Sequence, residues 1–171
     1  MRLFVGLPLP PEGVGWILRH RPLLLPAGAR WIPPDQWHVT LVFIGNKTGL
    51  PVEKIHHAIQ PLLQGHSAIR LYPSHLGWQR RTLWVHFHPA PILEPLVREL
   101  HTVIGLPLPD SYHPHVTIAR SKHPLKWQGP VLPDQPEFLF TTAHLYQSIL
   151  KPEGSEYISI HRYLFDVSLP R

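Results

Sequence analysis

The 171-residue sequence predicts an α+β protein built from two related halves. Three observations lead there. First, a His-x-Thr-aliphatic stretch is written twice, as His38-Val39-Thr40-Leu41 and His115-Val116-Thr117-Ile118, both among β-branched and aromatic residues that favour strands. Second, each copy follows a strand and a proline-opened helix. Leu3-Phe4-Val5 matches Leu83-Trp84-Val85, and the histidines follow at nearly the same offset. A duplicated unit commonly packs about a pseudo-twofold axis, which sets equivalent strands face to face. Third, a 43% hydrophobic composition at this length supports a sizeable core. The expectation is one domain over residues 1–171, made of two pseudo-symmetric lobes with the motifs at 38–41 and 115–118.

Taken in order, the apolar run Arg2 to Leu7 reads as a buried strand bounded by Pro8 and Pro10. Pro10-Pro11-Glu12 opens a helix carrying Val14, Ile17 and Leu18, weakened by Gly13 and Gly15. Residues 22–36 form a proline-rich connection into the first His-x-Thr strand, Trp37 to Ile44, which Gly45-Asn46 stops. Pro51 to Leu63 has helical spacing, with Pro61 expected to end it early. Strands are expected over Ser67 to Leu76 and Arg81 to His88, separated by a turn at Gly77. A helix over Pro91 to Val103 carries Leu93, Leu96, Val97 and Leu100 on one stripe. After the second motif strand, residues 121–136 read as a polar loop. Strands over Phe138 to Ile149 and Tyr157 to Val167 close the chain around Pro152-Glu153-Gly154.

Composition narrows the chemistry. There are no cysteines, so disulfides, thiolate zinc sites and cysteine nucleophiles are excluded. No stretch resembles a secretory signal or reaches the roughly 20 apolar residues of a membrane span, and the prediction is a soluble, cytoplasmic protein. A net charge of +5 suits a polyanionic partner such as nucleic acid. The 22 prolines stiffen loops, and most of the 14 histidines are expected at the surface or in packing roles.

In a strand, residues i and i+2 share a face, so each motif presents one imidazole and one hydroxyl together, backed by an apolar face. Two such pairs make a four-point polar cleft. With no nucleophile-base-carboxylate set in view, this equipment suits acid-base work on a phosphate ester. A neutral histidine takes a proton from water, a protonated one supplies the leaving oxygen, and threonine hydroxyls bind phosphate oxygens. Histidine's ordinary pKa of about 6.5 makes both states accessible near neutral pH. The scheme needs no metal and no cofactor.

At this point the sequence resembles the 2H phosphoesterases, and among them the bacterial and archaeal RNA 2′,3′-cyclic phosphodiesterases also called 2′-5′ RNA ligases. The likeness runs from Arg2-Leu3-Phe4 through Trp37 to Gly45 and His113 to Arg120, ending at Leu145-Tyr146-Gln147-Ser148 with Gly154 and Tyr157. It implies a bilobal fold in which two antiparallel sheets line a central cleft with helices outside. It also implies hydrolysis of a terminal RNA 2′,3′-cyclic phosphate to a 2′-phosphomonoester, with reversible ATP-independent 2′-5′ joining in some members. His38 would then be the general acid and His115 the general base, while Thr40, Thr117 and Arg120 would hold the phosphate. Strict alternation puts Arg120 opposite His115, so a bulge or the strand end must redirect it. Gly6-Leu7 and Tyr157-Ile158-Ser159-Ile160 depart from the family's usual residues without touching the four cleft positions.

Around that core, Phe4, His113 and Tyr157 are candidate substrate contacts. Phe4 and Trp84 otherwise read as core, His56-His57 as solvated, and His86 with His88 as a metal pair lacking a third ligand. Arg2, Arg80, Arg81, Lys122 and Lys126 read equally well as a basic rim or as scattered surface. The expected partner is RNA with 2′,3′-cyclic phosphate ends, tRNA fragments included, and the expected state is a monomer with no membrane or obligate protein partner. The rival readings are a 2H enzyme acting on 2′-5′ oligoadenylate or a small cyclic nucleotide, and a non-catalytic RNA-binding module.

Overall fold

The computed structural model describes residues 1–46 and 50–168. Strand β1 (Arg2–Pro8) leads into helix α1 (Pro11–His20), which Pro11 and Glu12 open as expected. The proline-rich connection holds a short strand, β2 (Ala29–Trp31), and a 3-10 turn at Pro34–Gln36. Strand β3 (His38–Gly45) is the first motif strand, ended by Gly45 at φ 70°. Helix α2 (Val52–Leu63) runs through Pro61 instead of stopping there. Its stripe of Ile55, Ile59 and Leu63 is buried, and this apolar burial holds the last turn despite the missing amide.

Strand β4 (Ile69–Leu71) is followed by the long β5 (Pro73–Phe87). The expected reversal in this region exists, but at Gln79–Thr82 rather than at Gly77. Arg80 sits there at φ 55°, the Thr82 hydroxyl donates to the Gln79 carbonyl at 3.0 Å, and the His88 amide donates to the Tyr72 carbonyl at 3.0 Å. Gly77 instead lies where a side chain would meet the His86 Nε2 at 3.3 Å. Helix α3 (Leu93–Ile104) ends on Gly105 at φ 73°. Strand β6 (His115–Gln128) continues through much of the expected loop, because it stays paired with β5 as far as Gly77↔Gln128. The last stretch divides into β7 (Phe138–Phe140) and β8 (Thr142–Lys151), and β9 (Gly154–Leu164) ends the described fold.

Seven strands form one curled antiparallel sheet in the order β2-β6-β3-β1-β8-β9, with β5 on the other edge of β6. The two expected sheet halves are therefore continuous, joined at the single pair Val39↔Val116 between the motif strands. The Tyr112 hydroxyl, donating to the Thr40 carbonyl at 2.9 Å, fastens the same junction. A small β4-β7 sheet packs against α1, where Trp16 meets Phe138 edge-on at 5.7 Å. Gly13 permits that approach, since a side chain there would lie 3.2 Å from the Phe138 ring. Helix α2 lies beside α3 and β9. His56, expected to be solvated, stacks on His161 at 3.9 Å and bonds the Tyr163 hydroxyl at 2.9 Å, while His57 is exposed. Among the described residues, no helix is long and apolar enough to cross a membrane.

Candidate active site

The concave side of the sheet holds a cavity of about 390 Å³ where the motif strands meet. Its lining includes His38, Thr40, His115, Thr117 and Arg120, with Phe4 and Tyr157 from β1 and β9. Seven of the eight residues singled out from the sequence thus stand in one cleft. The eighth does not. His113 precedes β6, so the alternation that would have aligned it with His115 does not apply, and its side chain is exposed outside the cavity. Its backbone carbonyl is the part that serves the site.

The two imidazoles are held alike. His38 Nδ1 lies 2.7 Å from the Gln36 carbonyl, and His115 Nδ1 lies 2.8 Å from the His113 carbonyl, in each case two residues upstream. A carbonyl only accepts, so each Nδ1 carries the hydrogen and donates. That fixes the tautomer and leaves each Nε2 as the nitrogen able to take or give a proton at the cleft. Thr40 and Thr117 are half-buried, and neither hydroxyl has a protein partner among the described residues.

A bulge turns Arg120 inward. Trp84 faces Thr117 and Leu83 faces Ala119, so Ile118 has no partner on β5. Ile118 and Ala119 are both fully buried, the alternation slips by one residue, and Arg120 returns to the side of Thr117. The same device operates in the other half. Gly6 faces Thr40 and Val5 faces Val42, leaving Leu41 unpaired and bringing Phe43, 51% exposed, into the cleft. Phe43 and Arg120 are thus equivalent, each five residues after its histidine. That shared spacing is visible in the sequence, but its meaning depends on the bulges.

These registers also correct the internal repeat. The residues opposite the motif threonines are Gly6 and Trp84, so Val5-Gly6-Leu7, not Leu3-Phe4-Val5, is the counterpart of Leu83-Trp84-Val85. Nor are Phe4 and Trp84 simply core residues. Phe4 lies 4.7 Å from the His38 ring, and half-buried Trp84 stacks on His115 at 3.6 Å and 17°. Tyr157 meets His38 edge-on at 5.0 Å, and Tyr146 stands 5.8 Å away. Of the basic-rim candidates Arg2 on β1 lines the cavity, while Arg80, Arg81, Lys122 and Lys126 do not; Arg30 on β2 and Lys151 at the end of β8, not singled out from the sequence, complete the basic wall. Lys151 is paired with Glu156, and Arg2 lies over the Phe43 ring at 5.4 Å.

Burial in this aromatic setting is the main influence on both histidines. It lowers the His38 pKa to about 4 against the raising effect of the Gln36 hydrogen bond, and the neighbouring His115 and Arg120 push the same way. The His115 pKa is lowered too, again chiefly by burial, with the His113 carbonyl opposing. Burial pushes the Tyr146 hydroxyl up to about 12. Among the described residues, no group of three histidine or carboxylate side chains is placed to hold a metal ion. His86 stacks on His75 at 4.3 Å while His88 bonds Gln135 at 2.8 Å, so the pair read from the sequence is divided between different partners.

Paired imidazoles, free hydroxyls and a guanidinium at the junction of two paired strands are the equipment of a phosphoesterase cleft. The family model of the 2′-5′ RNA ligase superfamily matches residues 10–145, and the chain belongs to this superfamily of 2H phosphoesterases. An RNA 2′,3′-cyclic phosphodiesterase of Thermotoga maritima is 25% identical over 156 residues, 84% of this chain and 83% of that protein. The crystal structure of the Thermus thermophilus protein TT0787 superposes with a TM-score of 0.80 at 22% identity, covering 99% of this chain and all of that one. That of E. coli LigT complexed with NADP+ gives 0.75 at 21% identity, covering 96% and 97%.

Proposed function

We propose that the protein hydrolyses the 2′,3′-cyclic phosphate at an RNA end to a 2′-phosphomonoester by metal-independent acid-base catalysis. The observation that carries this reading is the convergence of two Nδ1-anchored imidazoles and two unpartnered threonine hydroxyls in one cleft. The Thermotoga relative, bearing the name of this activity, supports the choice of substrate. In the reaction, His115 Nε2 takes a proton from water as its oxygen bonds to phosphorus. The bond from phosphorus to the 3′ oxygen breaks, and His38 Nε2 gives that oxygen its proton. Thr40, Thr117 and Arg120 hold the non-bridging oxygens, whose charge they match.

The lowered pKa of His38 bears on these roles. An imidazolium of pKa about 4 is a strong proton donor to a departing alkoxide, whereas a neutral imidazole with that pKa is a weak base. A pKa lowered to about 4 leaves the His38 ring mainly neutral at pH 7. An arriving phosphate anion favours the charged ring, so substrate binding brings the proton with it. A short RNA ending in 2′,3′-cyclic phosphate, incubated with EDTA present, tests the reading through the position of the product's phosphate. A 2′-phosphate from wild type, absent with His38→Ala and with His115→Ala, is expected. No turnover by folded protein that still binds the RNA would overturn it in favour of a binding module.

A further inference from the structure

The cleft is not the only concave surface on the sheet. The β5–β6 ribbon bends sharply where Arg80 adopts φ 55° and where β6 loops past Ser121–Pro124, between the pairs Arg80↔Leu125 and Thr82↔Arg120. In the angle lies a depression of about 630 Å³ lined by Gln79, Arg80, Arg81, Thr82, Trp84 and Pro124. It adjoins the cleft at two points. Trp84 lines the depression while stacking on His115, and Thr82 lines it while facing Arg120.

We propose that this angle binds the nucleotide on the 5′ side of the one whose cyclic phosphate occupies the cleft. The proposal rests on the RNA-end reading above. A 2′,3′-cyclic phosphate uses both hydroxyls at the end of the chain, so the rest of the RNA leaves the terminal ribose only through its 5′ oxygen. The next phosphate and base must therefore pass over a wall of the cleft, and the wall beside His115 carries the groups they need. Arg80 and Arg81 are exposed, no carboxylate lines the depression, and neither arginine forms an ion pair among the described residues. Two free guanidiniums suit a backbone phosphate, and a half-buried indole suits a base stacked without regard to sequence. Arg80 is also held in a conformation that non-glycine residues seldom adopt, at the bend where both arginines line the depression.

The test compares an oligoribonucleotide ending in 2′,3′-cyclic phosphate with a mononucleoside 2′,3′-cyclic phosphate. The variant combines Arg80→Gly, which accepts the positive φ, with Arg81→Ala. Its KM for the oligonucleotide is expected to rise on the order of tenfold with kcat unchanged. Hydrolysis of the mononucleotide should be unaffected. The slope of log affinity against log salt for the oligonucleotide should fall by about 0.7 for each backbone phosphate no longer neutralised. Arg80→Glu with Arg81→Glu should weaken the oligonucleotide further and again spare the mononucleotide.

Equal loss on both substrates, or on neither, would overturn the proposal. If wild type turns over neither substrate, the functional reading fails instead. Fluorescence anisotropy with the same RNA then still judges the site: an unchanged affinity in the double variant sinks it, and a weakened, less salt-sensitive one sustains it.

Discussion

The two halves of the cleft hold their histidines with the same backbone device and different side-chain surroundings. In both, a carbonyl two residues upstream fixes Nδ1, and a bulge after the threonine turns the fifth residue after the histidine inward. The residue opposite the threonine differs. It is Gly6 in one half, where the vacant space admits the Phe4 ring against His38, and Trp84 in the other, which stacks on His115 itself. His38 is thereby enclosed by Phe4, Tyr146 and Tyr157, whereas among the described residues only Trp84 is stacked on His115. The residue turned inward differs as well, Phe43 in one half and Arg120 in the other. The two motif strands thus share one backbone frame, and the side chains at two corresponding positions, Gly6 against Trp84 and Phe43 against Arg120, give the two histidines different surroundings. The proposed acid and base, drawn from the same residue type, need such a difference in surroundings.

The sharpest way to break the comparison is to remove either imidazole. His38→Ala and His115→Ala should each lower the rate on the cyclic-phosphate RNA by on the order of a hundredfold to ten-thousandfold, with much smaller changes in RNA affinity. A tenfold loss in one and none in the other would show that the halves do not act as a pair.

The braces should separate next. Phe4 is buried, so Phe4→Ala should cost about 3–5 kcal/mol of stability, read from urea unfolding. Half-buried Trp84 should cost less stability when changed to Ala, yet lower kcat because His115 loses the ring that orients it. Equal stability losses in the two variants would erase this distinction.

Acidification should expose the cost of burying neutral histidines. The His38 pKa is lower in the folded protein than in the unfolded chain, so between about 4 and 6.5 the unfolded state binds more protons. Its contribution to stability is present above pH 6.5 and is lost as pH falls toward 4. His86, also lowered to about 4 chiefly by burial, acts in the same direction. Urea midpoints measured from about pH 7 down to about pH 4.5 should fall steadily, and His38→Asn should flatten the trend. A midpoint independent of pH would contradict the burial of both rings. Kinetically, the bell for kcat/KM should lie on the acid side of about 6.5, and the bell for kcat should shift upward as bound phosphate raises the pKa of the acid.

The smallest expected effect concerns the residue that distinguishes the halves. A side chain at Gly6 would sit 3.2 Å from His38 Cδ2 and from the Val39 carbonyl, so Gly6→Ala should displace the ring slightly and lower kcat severalfold. Unchanged kinetics would mean that the ring tolerates movement.

Much of this was legible in the chain. Period-two alternation placed each histidine with its threonine, periodic leucines and isoleucines marked α2 and α3, and the repeated order of elements foretold that the motif strands would meet. Those features depend on short-range geometry, which a sequence carries directly. A bulge or strand end was expected before Arg120, but its place at Ile118 was not legible, nor were the bulge at Leu41, the reversal at Arg80, the continuation of β6 past Pro124 and the use of the His113 carbonyl in place of its ring. A bulge exists only relative to a partner strand, and a bend only where two paired strands turn together. The sequence therefore determined which residues could do chemistry. Strand pairing decided which of them, Arg120 and Phe43 included, face the same space, because register is a property of two strands and not of one.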